Sequence, residues 1–216
     1  MNKVTGVKAS RMWLSLGATA LLGWVLGCGQ IGGAGQCNGV DVTGACVSVD
    51  SVVPTDSVGF GGDTPDVDVV ENQDCDGDPT TQDPEKFGEH DAKVTIEADL
   101  MKDVTSPPAP AFITFTSYTI DYTPLATNLV TAPALTSQSF GPTSLKVNTD
   151  GSQATFTLEF VNFQTKEEYV NNGGSLYPPA SYSAKYTFRG TSQFDQDVVL
   201  VGSATFNMGN YDNCSK

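Results

Sequence analysis

The sequence predicts an all-β protein, an antiparallel two-sheet sandwich of about six to eight strands behind a largely irregular acidic lead. Three observations carry this expectation. From Ala92 onward apolar and polar residues alternate with a period of two. Turn residues interrupt the alternating runs at short intervals, and Ser and Thr occupy the solvent parity. No comparable stretch sustains helical periodicity.

Val94, Ile96, Ala98 and Leu100 alternate with Thr95, Glu97 and Asp99, the pattern of a half-buried strand. Pro107-Pro108-Ala109-Pro110 cannot donate ladder hydrogen bonds and marks a loop. The next strand covers about 112–122, and its apolar parity shifts between Ile113/Phe115 and Tyr118/Ile120/Tyr122. Such a shift predicts a β-bulge or a bend between sheets. Further strands are expected at about 138–147, 154–163, 182–188 and 197–208, with a turn at Asn148-Thr149-Asp150-Gly151. Thr165-Lys166-Glu167-Glu168-Tyr169 is the one polar cluster suited to a short helical turn. The buried parity is expected to hold Ile96, Leu100, Phe115, Ile120, Phe156, Leu158, Phe160, Tyr182, Tyr186, Leu200, Ala204 and Phe206. This set resembles an immunoglobulin-like sandwich in architecture alone. Both Trp residues, Trp13 and Trp24, lie far from any antibody-type Cys and Trp core. A closed barrel is the second architecture compatible with the pattern.

The lead, 28–91, carries 14 acidic residues against the single Lys86, whereas 92–216 is near balance with 11 against seven. Gly, Asp, Thr and Pro dominate it, as in Gly59-Phe60-Gly61-Gly62-Asp63-Thr64-Pro65-Asp66, and such composition buries little apolar surface. It reads as a tether ahead of a sandwich domain at 92–216. The whole chain has a net charge of −14. Excess negative charge disfavours nucleic acid as a partner, since phosphate neutralisation needs Lys and Arg.

Residues 1–27 read as an export signal. Lys3, Lys8 and Arg11 make a positive start, and the uncharged run 12–26, 15 residues long, is shorter than the roughly 20 that a membrane span needs. It closes on Val25-Leu26-Gly27-Cys28, which resembles the lipobox of bacterial lipoproteins. The resemblance implies acylation of Cys28, a mature chain starting there, and anchoring to a membrane outside the cytoplasm. Gly29 in place of Asp implies the outer membrane of a cell that has one. Removing 1–27 takes three of the 11 basic residues and none of the 25 acidic ones, so the mature chain, with eight basic residues, carries −17. The stretch Phe188-Arg189-Gly190 through Val198-Val199-Leu200-Val201-Gly202-Ser203 is similar to envelope lipoproteins with an acidic lead and one sandwich domain. That similarity implies no activity.

With Cys28 assigned to lipid, Cys37, Cys46, Cys75 and Cys214 remain, an even set that predicts two disulfides in an exported chain. Three pairings exist, of which Cys37 with Cys46 and Cys75 with Cys214 is preferred. No close C-x-x-C or Cys/His spacing suggests a metal-thiolate site. Asp74, Asp76 and Asp78 alternate, and Glu85 follows Asp74 at the span of an EF-hand loop, so these four are the candidate Ca²⁺ ligands. Pro79 stands where such a loop needs Gly, which argues for a solvated acidic linker instead. His90, the one histidine, reads as an exposed linker residue. No G-x-S-x-G, H-E-x-x-H or G-K-[ST] motif occurs, and a non-catalytic protein is expected.

Val161 and Phe163 fall opposite to Phe156, Leu158 and Phe160, and Val199 and Val201 opposite to Val198 and Leu200. They are candidate partner-surface residues unless a bulge near Val161 or the long loop 164–181 covers them. That loop contributes Tyr177 as a further candidate. The functional expectation is a lipid-anchored envelope protein for adhesion or assembly, its partners the membrane and an envelope protein or glycan. The second reading is a small-ligand or carbohydrate-binding module that uses the 164–181 loop and, with Ca²⁺ assisting, the acidic segment 74–85; no other cofactor is expected.

Overall fold

Among the described residues, ten strands and one helix build a two-sheet sandwich in the computed structural model. The structure describes residues 39–42, 44–56, 66–72, 74–85, 87–100, 111–125, 132–174 and 178–211, all within one compact unit. In chain order the elements are β1 (Val40–Val42), β2 (Ala45–Asp56), β3 (Asp66–Asp68), β4 (His90–Leu100), β5 (Phe112–Pro124) and β6 (Gln138–Phe140). They continue with β7 (Leu145–Asn148), β8 (Gln153–Val161), α1 (Phe163–Asn171), β9 (Ala180–Ser192) and β10 (Asp197–Gly209). One sheet has the order β1-β2-β4-β8; the other runs β3-β10-β9-β5-β6, with β7 also paired to β5. All pairs are antiparallel except β3 beside β10.

The all-β sandwich expected from the alternation is the observed fold, but its strands begin earlier in the chain. β2 pairs with β4 along eleven residue pairs from Ala45↔Leu100 to Asp56↔His90, and β1 and β3 also belong to the sheets. The reading of 28–91 as a tether is therefore corrected. The strand is hidden in the sequence because a register shift between Val49 and Ser51 breaks its apolar parity at Asp50. Val49 and Val52 both meet the position of Gly202 on β10, where a Cβ would come within 2.5 Å of Val49 and 3.0 Å of Val52. The lead thus closes the core from one side.

The parity shift in β5 is a bulge: its register with β9 slips between Phe115 and Ser117. At that point Gly190 has to be glycine, since a Cβ there would lie 2.3 Å from the Thr114 carbonyl oxygen and 2.6 Å from the Phe115 Cα. The run expected as one strand at 138–147 is divided into β6 and β7, both paired to β5. The single helical turn expected at Thr165–Tyr169 is a nine-residue helix, started by Asn162, whose side chain accepts from the Thr165 amide at 2.9 Å.

Side chains from both sheets fill the core, with Ile96, Phe115, Ile120, Phe160, Tyr182, Tyr186 and Phe206 all essentially inaccessible. Phe156 and Ala204 are only partly buried. Tyrosines close the interior and satisfy their own hydroxyls. Tyr122 and Tyr186 donate across the sandwich to the carbonyls of Phe160 and Glu159 on β8, and Tyr169 donates to Met208 at 2.9 Å. β8 ends its sheet, and these donors satisfy carbonyls there. Burial pushes the Tyr118 hydroxyl up to about 12 and raises those of Tyr122, Tyr182 and Tyr186 further. They remain donors at any physiological pH.

Candidate functional site

The acidic loop ahead of β4 turns at Gly77, whose φ of +77° is the left-handed conformation that glycine tolerates. The Asp74 carboxylate accepts from the Gly77 amide at 2.8 Å, and Asp76 accepts from the Asp78 amide at 2.7 Å. A bridge between Asp74 and Asp83 folds the loop back, and Asp83 accepts from the Cys75 amide at 3.1 Å. Asp74, Asp76 and Asp83 consequently offer carboxylate oxygens within 4.8 Å of one another. This is not the set the EF-hand spacing suggested. Asp78 turns its carboxylate to the amide and hydroxyl of Thr80, at 2.9 and 2.7 Å, which holds its pKa below the usual value. Glu85 is buried and accepts from the Asn72 amide. The turn at Gly77 comes before Pro79 can direct the chain, so the loop closes on Asp83 rather than on Glu85.

A second charged group ties this loop to the helix. Lys166 is 2 % exposed; its Nζ donates to the Gly88 carbonyl and lies 4.1 Å above the Phe87 ring. Asp68, also buried, accepts from the amides of Val70 and Tyr211 at 3.3 and 3.0 Å. Desolvation nevertheless raises its pKa, with Glu85 adding to the shift and Lys166 opposing it. His90 is buried at the start of β4, which corrects its reading as an exposed linker residue: the lead pairs along it at Asp56.

The two apolar pairs proposed for a partner surface separate. Val161 is wholly buried, because the β4–β8 register slips between His90 and Asp91 and inserts Phe160 as an extra residue, turning both inward. Phe163 is 49 % exposed at the start of α1, its ring 5.8 Å from that of Phe87, and does not lie on a sheet face. Val199 and Val201, in contrast, are 42 % and 52 % exposed on β10, opposite Arg189 and Thr187 of β9. Phe194, 59 % exposed, stands in the turn at the same end of the β9–β10 hairpin. The alternation of Val198 and Leu200 with Val199 and Val201 made this strip legible; Phe194, isolated in a polar turn, carried no periodic signal.

Cys46 and Cys75 are both disulfide-bonded. Cys28, Cys37, Cys214 and Tyr177 lie outside the described residues, and with them the pairing. No helix among the described residues is long and apolar enough to cross a membrane. No family model matches the sequence, and comparison with curated proteins and with solved structures gives no match.

Proposed function

We propose that the protein is a lipid-anchored module of the cell envelope, non-catalytic, serving adhesion or assembly through the outward face of the β9–β10 hairpin. The observation that carries this reading is the exposed pair Val199 and Val201 on a sheet whose other outward residues are mainly Thr, Ser and charged, with Phe194 exposed in the adjoining turn. The lipobox-like Val25-Leu26-Gly27-Cys28 supports the membrane attachment: acyl-Cys28 holds the domain at an extracytoplasmic membrane face, the outer membrane where one exists.

Chemical crosslinking in the native envelope tests it. A stoichiometric protein partner is expected, lost when Val199→Asp and Val201→Asp are combined. Recovery of the protein alone, or a partner indifferent to the double variant, contradicts it.

A second reading, Ca²⁺ held by the acidic loop, is supported by the convergence of Asp74, Asp76 and Asp83. Calorimetry with Ca²⁺ alone tests this reading. Saturable heat that disappears in Asp76→Ala is expected, and the absence of heat in the parent chain refutes it.

A further inference from the structure

The segment leading into β6 lies along α1, and between them runs a groove made of two adjoining clefts. One, of about 240 Å³, is lined by Gln138, Phe140, Asn162 and Thr165 among others. The second, of about 380 Å³, continues past Glu167 to Asn171 and Asn172. Thr136, Gln164 and Glu168 belong to both, so the clefts form one channel. The second falls near the lower end of the range of roughly 300–1,000 Å³ for small-molecule sites and the first just below it.

The lining is held in place before any ligand arrives. Glu168 accepts from the Thr136 amide at 2.9 Å and its hydroxyl at 2.7 Å, which fixes the walls against each other. The Gln138 amide donates to Asn162 at 3.0 Å and to Thr165, and Asn162 donates to Glu159 at 2.6 Å. Phe140 is stacked on Tyr118 with centroids 4.6 Å apart, so its ring is rigid as well. Fixed polar groups lower the ordering cost of binding.

The chemistry of the lining selects its ligand. No Lys or Arg lines either cleft, and two carboxylates do, which opposes phosphates, carboxylates and nucleic acid. Apart from Phe140 the lining is hydroxyl, amide and carboxylate, so an apolar peptide finds no pocket for its side chains. Amides that both donate and accept, beside one flat ring, match a ligand whose hydroxyls do the same and whose C–H face is apolar. We infer that the groove between the β6 segment and α1 binds a neutral saccharide chain. The site stands three strands away from β10 in the sheet order and is independent of the partner strip and of the lipid anchor.

Isothermal titration of the detergent-solubilised full chain with cellotetraose, maltotetraose and chitotetraose, and with sialyllactose as an anionic control, tests the inference. At least one neutral tetrasaccharide binds saturably, and sialyllactose binds at least tenfold more weakly. Gln164→Ala and Ser137→Ala, both at exposed lining positions, each weaken the neutral ligand tenfold or more, while Val199→Asp leaves it unchanged. Saturation by none of the three neutral sugars, equal binding of sialyllactose, or affinity unchanged in both lining variants overturns it. None of these results bears on the partner strip, whose test is the crosslinking experiment.

Discussion

Gly190 and Asp68 are single residues whose surroundings leave little room for substitution. Gly190 sits where the β5 bulge brings the Thr114 and Phe115 backbone against β9, and backbone atoms cannot move aside as a flexible side chain would. Gly190→Ala is expected to cost about 3 kcal/mol, read as a lowered denaturant midpoint at an unchanged slope. Asp68 and Asp91 carry raised pKa values, in both mainly from desolvation. The folded state therefore binds their protons more tightly than the unfolded chain does. The stability they contribute is present below the ordinary carboxylate value and is lost as pH rises through their raised values. Exposed Asp78 and Asp150, whose values are lowered, act in the opposite sense and only below the ordinary value. The melting temperature is expected to fall as pH rises above the ordinary carboxylate value, and Asp68→Asn to flatten that slope. A parent Tm that rises with pH there, or a slope unaltered in the variant, contradicts the assignment.

β2 is the element on which the account of the lead depends. It forms the main neighbour of β4 on one side, with β8 on the other, so removing it strips the β4 edge and uncovers Val94, Ile96 and the inward face near Gly202. A fragment starting at Ala92 is expected to be insoluble or unfolded by circular dichroism, whereas one starting at residue 38 folds. A folded fragment from Ala92 restores the tether reading. The contrast between these two boundaries also explains what the sequence reveals. β4, β5, β8, β9 and β10 keep an unbroken or once-broken alternation and are legible residue by residue. β2 changes parity at Asp50 and lies in a run rich in Asp and Ser, so its valines never form a countable pattern. The same cause hid the burial of Val161, since a one-residue bulge exchanges the faces of everything beyond it. The groove beside α1 was hidden for a different reason: its polar residues come from 136–140 and 162–172, which only the fold brings together.

At the scale of the whole molecule, a chain with 25 acidic and 11 basic residues is strongly anionic, and three surfaces stand out on it: the apolar β9–β10 strip, the acidic loop and the α1 groove. Each would gain from presentation at a membrane at high local concentration, which the proposed acylation of Cys28 would provide. Disulfides at Cys46, in β2, and at Cys75, in the acidic loop, fit the proposed extracytoplasmic setting. The measurement that tests this account most directly is mass spectrometry of the N-terminal peptide from the membrane fraction of the native cell. The account predicts a chain beginning at Cys28 and carrying a diacylglyceryl group with no residue before it. A chain beginning at Met1 with an unmodified Cys28, recovered from the soluble fraction, contradicts it.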